Sequence, residues 1–252
     1  MFKYLNSTVH SLSTAHRPLS YQNAAKQGRI MHVIALCTLS LLVALSSCNK
    51  NYTVTSEVAL DVEVKNYNGK GDDLSGKVVI GLFGETVPVA SLNFKTLCEG
   101  FKRPNQPIIS YKNTNCHRVS RDMFIQCGDV FNKDGIGSTS IYGEYFNDEN
   151  FIIKHSSGGI VTMANKGKDT NGSHFIILLG ASRYFDNKHV AFGKVVKGYQ
   201  YLEAINRLGP VDRAGKPRKP IRITDCVVNE IEKYELSDKD LLTTDLEGIV
   251  DE

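Results

Sequence analysis

The chain has 252 residues, with 30 Lys and Arg against 27 Asp and Glu for a formal net charge of +3, and 41% hydrophobic against 23% charged residues. That balance excludes a strongly cationic nucleic-acid binder and an acidic disordered chain, and it leaves enough apolar residues for a real core. No Trp is present, and 21 Gly against 7 Pro suit a fold with many tight turns.

Residues 1–30 are polar and aperiodic. Lys26 and Arg29 then precede an apolar run from Val33 to Leu45, followed by Ser46, Ser47 and Cys48. A basic flank, a short apolar stretch and small residues behind it describe a secretory signal. A spanning helix needs about 20 apolar residues, so the run is short for a stable membrane anchor. Three readings of residues 33–48 stay open: a cleaved signal, a retained signal-anchor, and a bacterial lipoprotein box, Leu45-Ser46-Ser47-Cys48, with Cys48 lipidated. Met31 stands as an alternative start. Residues 1–50 are therefore an N-terminal extension, 55–233 the folded domain, and 234–252 an acidic tail.

Within 55–233 the pattern is period two or short apolar runs, which predicts strands near Val58–Val64, Lys77–Phe83, Cys116–Ser120, Met123–Gly128, Gly159–Ala164, Phe175–Leu179, Ala191–Val196 and Ile221–Glu230. Two stretches predict helices. The first opens at Thr86-Val87-Pro88, with Leu92, Phe94 and Leu97 as its apolar surface before Gly100. The second runs from Tyr199 to Leu208, carries Leu202, Ile205 and Leu208 on one stripe, and stops at Gly209-Pro210. Eight short strands and two helices suggest a mainly β fold, a small closed barrel capped at its ends. From Glu235 onward acids outnumber the single Lys239, so the end of the chain is expected to be a solvated, disordered tail.

Six Cys stand at 37, 48, 98, 116, 127 and 226. The last four show no Cys-x-x-Cys spacing and are too scattered for a zinc site. They are read as buried thiols, with any disulfide among them unassigned. No serine-nucleophile elbow, zinc-protease helix motif or phosphate loop appears, and His117, His155, His174 and His189 are not at metal-ligand spacings. No metal and no cofactor are expected. Arg213, Lys216, Arg218, Lys219 and Arg222 form a basic run, read as a solvated loop entering the last strand.

Polar residues set into apolar strand ends carry more information. His117-Arg118-Val119 precedes Met123-Phe124-Ile125-Gln126-Cys127-Gly128-Asp129. Gly159-Ile160-Val161-Thr162-Met163-Ala164-Asn165 precedes Thr170-Asn171-Gly172-Ser173-His174-Phe175, and Phe185-Asp186-Asn187-Lys188-His189-Val190-Ala191-Phe192-Gly193 comes last. Together with Val78–Gly84, Ser140–Glu144 and Asp148–Phe151, these segments resemble, in one collinear register over 55–233, the ordered signatures of the cyclophilins, the prolyl isomerases. The resemblance implies an eight-stranded antiparallel barrel with two capping helices. It implies isomerisation of Xaa-Pro bonds with Pro-containing polypeptides as partners. Arg118 matches the catalytic arginine, and Gln126 and Asn165, with Ala164 beside them, match residues that bind substrate backbone. Met123 and Phe124 match apolar pocket positions, and His189 the pocket histidine.

Several substrate-site positions depart from the family pattern. Met123-Phe124 reverses the usual Phe then Met, a swap that keeps volume but not shape. Ile176 stands where a pocket Phe is usual, His174 replaces a Gln, Tyr184 and Phe185 stand where many members have Trp and Leu, and Ser120-Arg121-Asp122 replaces a more apolar turn. The electrostatic machinery is kept and the proline pocket remodelled, so activity is expected to be reduced or altered in preference and cyclosporin binding weakened. The expectation is a monomeric secretory-pathway enzyme, with no nucleic-acid partner and a membrane association only if residues 33–48 are retained. A binding module that captures Pro-containing segments without turnover is the alternative.

Overall fold

The computed structural model describes residues 50–131 and 135–246. The signal-like run, Cys37, Cys48 and the final acidic residues lie outside them. The alternation in the first predicted strand is realised in β2 (Ser56–Val64), where Val58, Leu60, Val62 and Val64 are buried and Glu57, Asp61 and Glu63 are partly in solvent. β2 pairs antiparallel with β3 (Leu74–Leu82) in unbroken register from Ser56↔Leu82 to Val64↔Leu74. The remaining strands are β1 (Asn51–Val54), β4 (Thr114–Cys116), β5 (Arg118–Ser120), β6 (Phe124–Cys127), β7 (Ile160–Met163), β8 (Phe175–Leu178), β9 (Ala191–Lys197), β10 (Ile221–Asn229) and β11 (Tyr234–Ser237); the helices are α1 (Pro88–Glu99), α2 (Tyr199–Leu208) and α3 (Asp238–Leu242).

One antiparallel sheet of nine strands runs β4-β10-β2-β3-β9-β7-β8-β6-β5. Its two end strands, β4 and β5, are separated in sequence only by His117, so a single segment joins both edges of the nearly closed barrel. This corrects the expected strand Cys116–Ser120 and the count of eight. The segment breaks at His117 because its first half pairs with β10 and its second with β6. The architecture is otherwise the one expected, a nearly closed antiparallel barrel with two capping helices.

α1 has no side-chain cap of its own. The Glu149 carboxylate supplies it from another loop, accepting the Val89 and Ala90 N–H groups at 2.9 and 3.0 Å, a negative charge at the positive end of the helix dipole. The helix buries Ala90, Phe94 and Leu97, whereas Leu92, expected on the same face, is 52% exposed. Phe94 packs against Tyr111, Phe175 and Phe192, each with ring centroids 5.0 Å away. At the other end Leu202 and Ile205 of α2 meet Leu60, Val78, Ile125 and Ile177 in the barrel interior.

The four cysteines of the domain are not free thiols. Cys98, in the last turn of α1, is bonded to Cys226 of β10, and Cys116 of β4 to Cys127 of β6. Spacings of 128 and 11 residues say nothing about such pairs; the strand register that makes them appears only once the barrel is closed.

Over 234–246 the expected solvated tail is also corrected. β11 pairs antiparallel with β1 from Asn51↔Ser237 to Val54↔Tyr234, Ser237 and Asp240 form a capping box for α3, and Leu236, Leu241 and Leu246 are buried. This strap also shields Lys194. The wholly buried ammonium donates to Ser157 Oγ at 2.8 Å and to the carbonyls of Gly158 and Thr243 at 2.6 Å each, one acceptor for each proton. Burial pulls its pKa down from 10.5 to about 7. Between those two values the unfolded chain binds the extra proton, so this group's contribution to stability rises with pH across the window. In urea unfolding at about pH 7 and about pH 9.5, a Lys194→Met variant is expected to gain less stability on going alkaline than the parent. An equal gain in both proteins would exclude the buried amine as its source.

Candidate active site

The segment that closes the barrel also carries the polar site. Arg118 of β5 is the register partner of Gln126 of β6. The Arg118 guanidinium carbon lies 5.3 Å from the centroid of the Phe124 ring, a cation–π contact that holds it over an apolar surface. The His117 N–H donates to the Gln126 carbonyl at 3.0 Å, and the Cys116–Cys127 bond spans the same hairpin immediately outside it. Arg118 remains exposed while the backbone beneath it is pinned on both sides.

One strand further in, Ile176 of β8 lies between Gln126 on β6 and Thr162 on β7. The Ala164 N–H donates to the His174 carbonyl at 2.9 Å, which brings Ala164 and Asn165 to the same edge. Asn165 is fixed by its own bonds: Nδ2 donates to the Lys188 carbonyl at 2.7 Å, and Oδ1 accepts from the Gly167 N–H at 3.3 Å. Gln126, Ala164, Asn165 and His174 line one cavity of about 250 Å³, roofed by Gly135 and Ile136. The loop bearing that roof hangs on the buried Asp129 carboxylate, which accepts the N–H groups of Phe131, Gly135 and Gly137. A second cavity of about 590 Å³ shares Asn165 and Lys166 with the first and is lined by Phe151, Tyr184, Lys188 and His189.

The residues expected to floor the proline pocket, Phe124, Ile176 and Phe185, are buried and line neither of these cavities. Phe185 is buried and makes edge contacts with Phe124 at 5.8 Å and with His189 at 5.0 Å. Met123 does not join this floor: it is 44% exposed, with Ser120 Oγ 3.4 Å from its sulfur, because the tight turn at Asp122 directs residue 123 outward and residue 124 inward. Tyr184 is an exposed rim residue with the Lys188 ammonium 4.4 Å from its ring centroid.

His189 Nδ1 donates to the Met163 carbonyl at 2.9 Å. Burial lowers the ring's pKa below 6.5, against the opposing pull of that carbonyl. The ring is therefore neutral at pH 7, with Nε2 as its acceptor. Protonation would place a cation against the Phe185 ring and the apolar floor. Turnover followed by exchange NMR is expected to be flat above pH 6.5 and to fall below it, and His189→Phe should remove that fall. The same acid limb in both proteins would assign it to another group. His155, which sequence reading set aside, is also held neutral by burial and bonds Asp186 at 2.9 Å beneath Phe185. Nothing in its local sequence, between Lys154 and Ser156, signals this burial.

The family described as cyclophilin type peptidyl-prolyl cis-trans isomerase matches residues 62–228. The chain is a cyclophilin. This cyclophilin is 43% identical over 152 residues to peptidyl-prolyl cis-trans isomerase H of Mycosarcoma maydis, covering 60% of the present chain and 97% of that protein. It is 39% identical over 210 residues to peptidyl-prolyl cis-trans isomerase CYP21-1 of Arabidopsis thaliana, with 79% and 90% covered. It is 43% identical over 152 residues to peptidyl-prolyl cis-trans isomerase 11 of Caenorhabditis elegans, with 60% and 82% covered. Arg118 opposite Gln126, and Gln126 with Asn165 on one cavity, are thus carried by a barrel of an enzyme family whose members bind Pro-containing peptides.

Proposed function

We propose that this cyclophilin rotates Xaa-Pro bonds of exported polypeptides, with Arg118 as its catalytic residue. The observation that carries the reading is Arg118 held over Phe124 and across from Gln126, on a strand fixed by the His117–Gln126 bond and a disulfide. Rotation about a peptide bond meets a barrier of roughly 18–20 kcal/mol because the C–N bond has partial double-bond character. For Xaa-Pro the end states nearly balance, so the problem is kinetic. At the twisted transition state conjugation is lost and the prolyl nitrogen becomes a better hydrogen-bond acceptor. A guanidinium directed there binds the transition state more tightly than either ground state, and each 1.36 kcal/mol so gained is about tenfold in rate. Gln126 and Asn165 grip the neighbouring backbone, and the floor of Phe124, Ile176 and Phe185 with His189 takes the ring.

Work in an oxidising compartment is supported by the signal-like run of residues 33–48 and by two disulfides in one domain. Of the glycosylation sequons Asn51-Tyr52-Thr53 and Asn171-Gly172-Ser173, only the first has an exposed acceptor; Asn171 is buried with its amide bonded to Asp148 at 2.8 Å. In the folded protein, Asn171 is expected to be unmodified, and a glycan mass on its peptide would contradict this. Cyclosporin is expected to bind weakly, because Tyr184 and Phe185 replace the usual rim.

A protease-coupled assay of the purified protein on Xaa-Pro peptides tests the isomerase reading. Turnover supports it. Binding of Pro-peptides without turnover would identify a recognition module, the reading favoured by the tightly filled aromatic floor at Phe124 and Phe185.

A further inference from the structure

The segment from Pro210 to Arg222 joins α2 to β10 and lies along the open side of β5. The Val119 N–H donates to the Gly215 carbonyl at 2.7 Å. Gly215 sits at φ +91°, and a Cβ there would lie 2.8 Å from Arg118 Cγ, so the loop can press against the catalytic arginine only through a glycine. Consecutive α-carbons are about 3.8 Å apart, so Lys216 begins one step from that contact.

Arg213, Lys216, Arg218 and Arg222 are exposed, Lys219 is half-buried, and Arg121 at the turn after β5 adds a further exposed cation. Among the described residues none of the six is in a salt bridge. The one carboxylate within the segment, Asp212, accepts the Lys216 N–H at 3.0 Å through one oxygen. Two of the cations are preset: Arg218 Nε donates to the Leu208 carbonyl at 3.1 Å and Arg222 Nη2 to Asn113 Oδ1 at 2.8 Å. Beside this bank runs a groove of about 580 Å³ lined by His117, Asp212, Lys216, Pro217, Arg218 and Pro220, in which cations outnumber the single carboxylate. His117 immediately precedes Arg118, so the groove leads from the catalytic strand to the cations.

We infer that this groove extends the substrate site and selects polypeptides carrying Asp or Glu side chains within a few residues of the isomerised proline. The inference rests on the prolyl-isomerase reading. A solvated cation run in isolation would carry no such preference. These cations have no ion-pair partners among the described residues, are partly preset, and lie along a groove that begins beside the strand carrying Arg118. Exposed ion pairs are individually weak and salt-sensitive, so several acting together give roughly a tenfold preference at low ionic strength that salt erases.

The test uses two Xaa-Pro peptides with one core, flanked on both sides by Glu in one and by Gln in the other. kcat/KM and Kd are measured at low and at about 0.5 M NaCl, where the Debye length falls to a few Å. The intact protein is compared with an Arg213→Glu/Lys216→Glu variant, whose replaced side chains make no hydrogen bond or ion pair among the described residues; circular dichroism checks its fold. The expected result is a roughly tenfold Glu-over-Gln ratio at low salt, lost at high salt and lost in the variant. Equal values for the two peptides at low salt, or a Glu preference that survives in the variant, would overturn the inference. A single-stranded oligonucleotide that displaced the Glu peptide at lower concentration than the peptide itself would also overturn it, assigning the bank to nucleic acid. If neither peptide is turned over, the isomerase reading fails, while the ratio of Kd values still decides the charge preference.

Discussion

Replacing Arg118 by alanine is expected to lower kcat/KM for a short Xaa-Pro peptide by about 10²–10³-fold, the usual loss when one preorganised donor to a developing acceptor is removed. That corresponds to about 2.7–4 kcal/mol of transition-state stabilisation. The loss should fall on kcat rather than on KM, because the guanidinium acts on a nitrogen that accepts only when twisted. Thermal stability should hardly change, since Arg118 is exposed and forms no salt bridge among the described residues. Arg118→Lys keeps the charge but loses the planar fork, and should recover only part of the activity. An alanine variant with wild-type turnover would show that the chemistry lies elsewhere on the barrel.

The second large effect concerns the disulfides, and the two should separate. Cys98–Cys226 closes a span of 128 residues and ties α1 to β10. On chain-entropy grounds a Cys98→Ser/Cys226→Ser variant should lose about 5 kcal/mol, and for a domain of this size Tm should fall by about 10–20 °C. Activity at a temperature where it is still folded should be near that of the parent, because this bond is remote from Arg118 in the barrel. Cys116–Cys127 closes only 11 residues, and its loss should cost about 3 kcal/mol. This bond borders the hairpin that holds Arg118 opposite Gln126, so its removal should also lower kcat/KM. Urea unfolding and turnover, each with and without a dithiol reductant, separate the two. Equal loss of activity in both variants would mean that the short bond has no special hold on the site.

Much of this was legible in the residues, and what was not has identifiable causes. The alternation from Val58 to Val64 is long and strict, so β2 could be read directly. The break at His117 could not, because Cys116–Ser120 is locally continuous and splits only when its halves find different partners. Met123 and Phe124 are adjacent apolar residues, and nothing local says which faces in; the turn at Asp122 decides it. The cysteine pairs are products of register. In the acidic tail the buried anchors Leu236, Leu241 and Leu246 are five residues apart, matching neither strand nor helix period, so their apolar signal was hidden among the charges. Arg118, Gln126, Asn165 and His189 could be picked out as candidates because their motif order survives, whereas the edge contacts of Phe185 with Phe124 and His189 required the ring geometry.

Closure through His117 fixes the order in which a growing chain can become active. β4 has no partner until β10 (residues 221–229) has been made, and β10 must itself pair with β2, whose last residue is Val64. Contacts of such long sequence separation form late. The hairpin bearing Arg118 and Gln126 is available halfway through synthesis, yet its outer edge stays unsealed until nearly the whole domain has emerged. A nascent chain stalled before residue 221 should therefore hold Arg118, Gln126, Asn165 and His189 and isomerise nothing. It would itself present an open sheet edge, the state in which a β protein most needs protection from its neighbours.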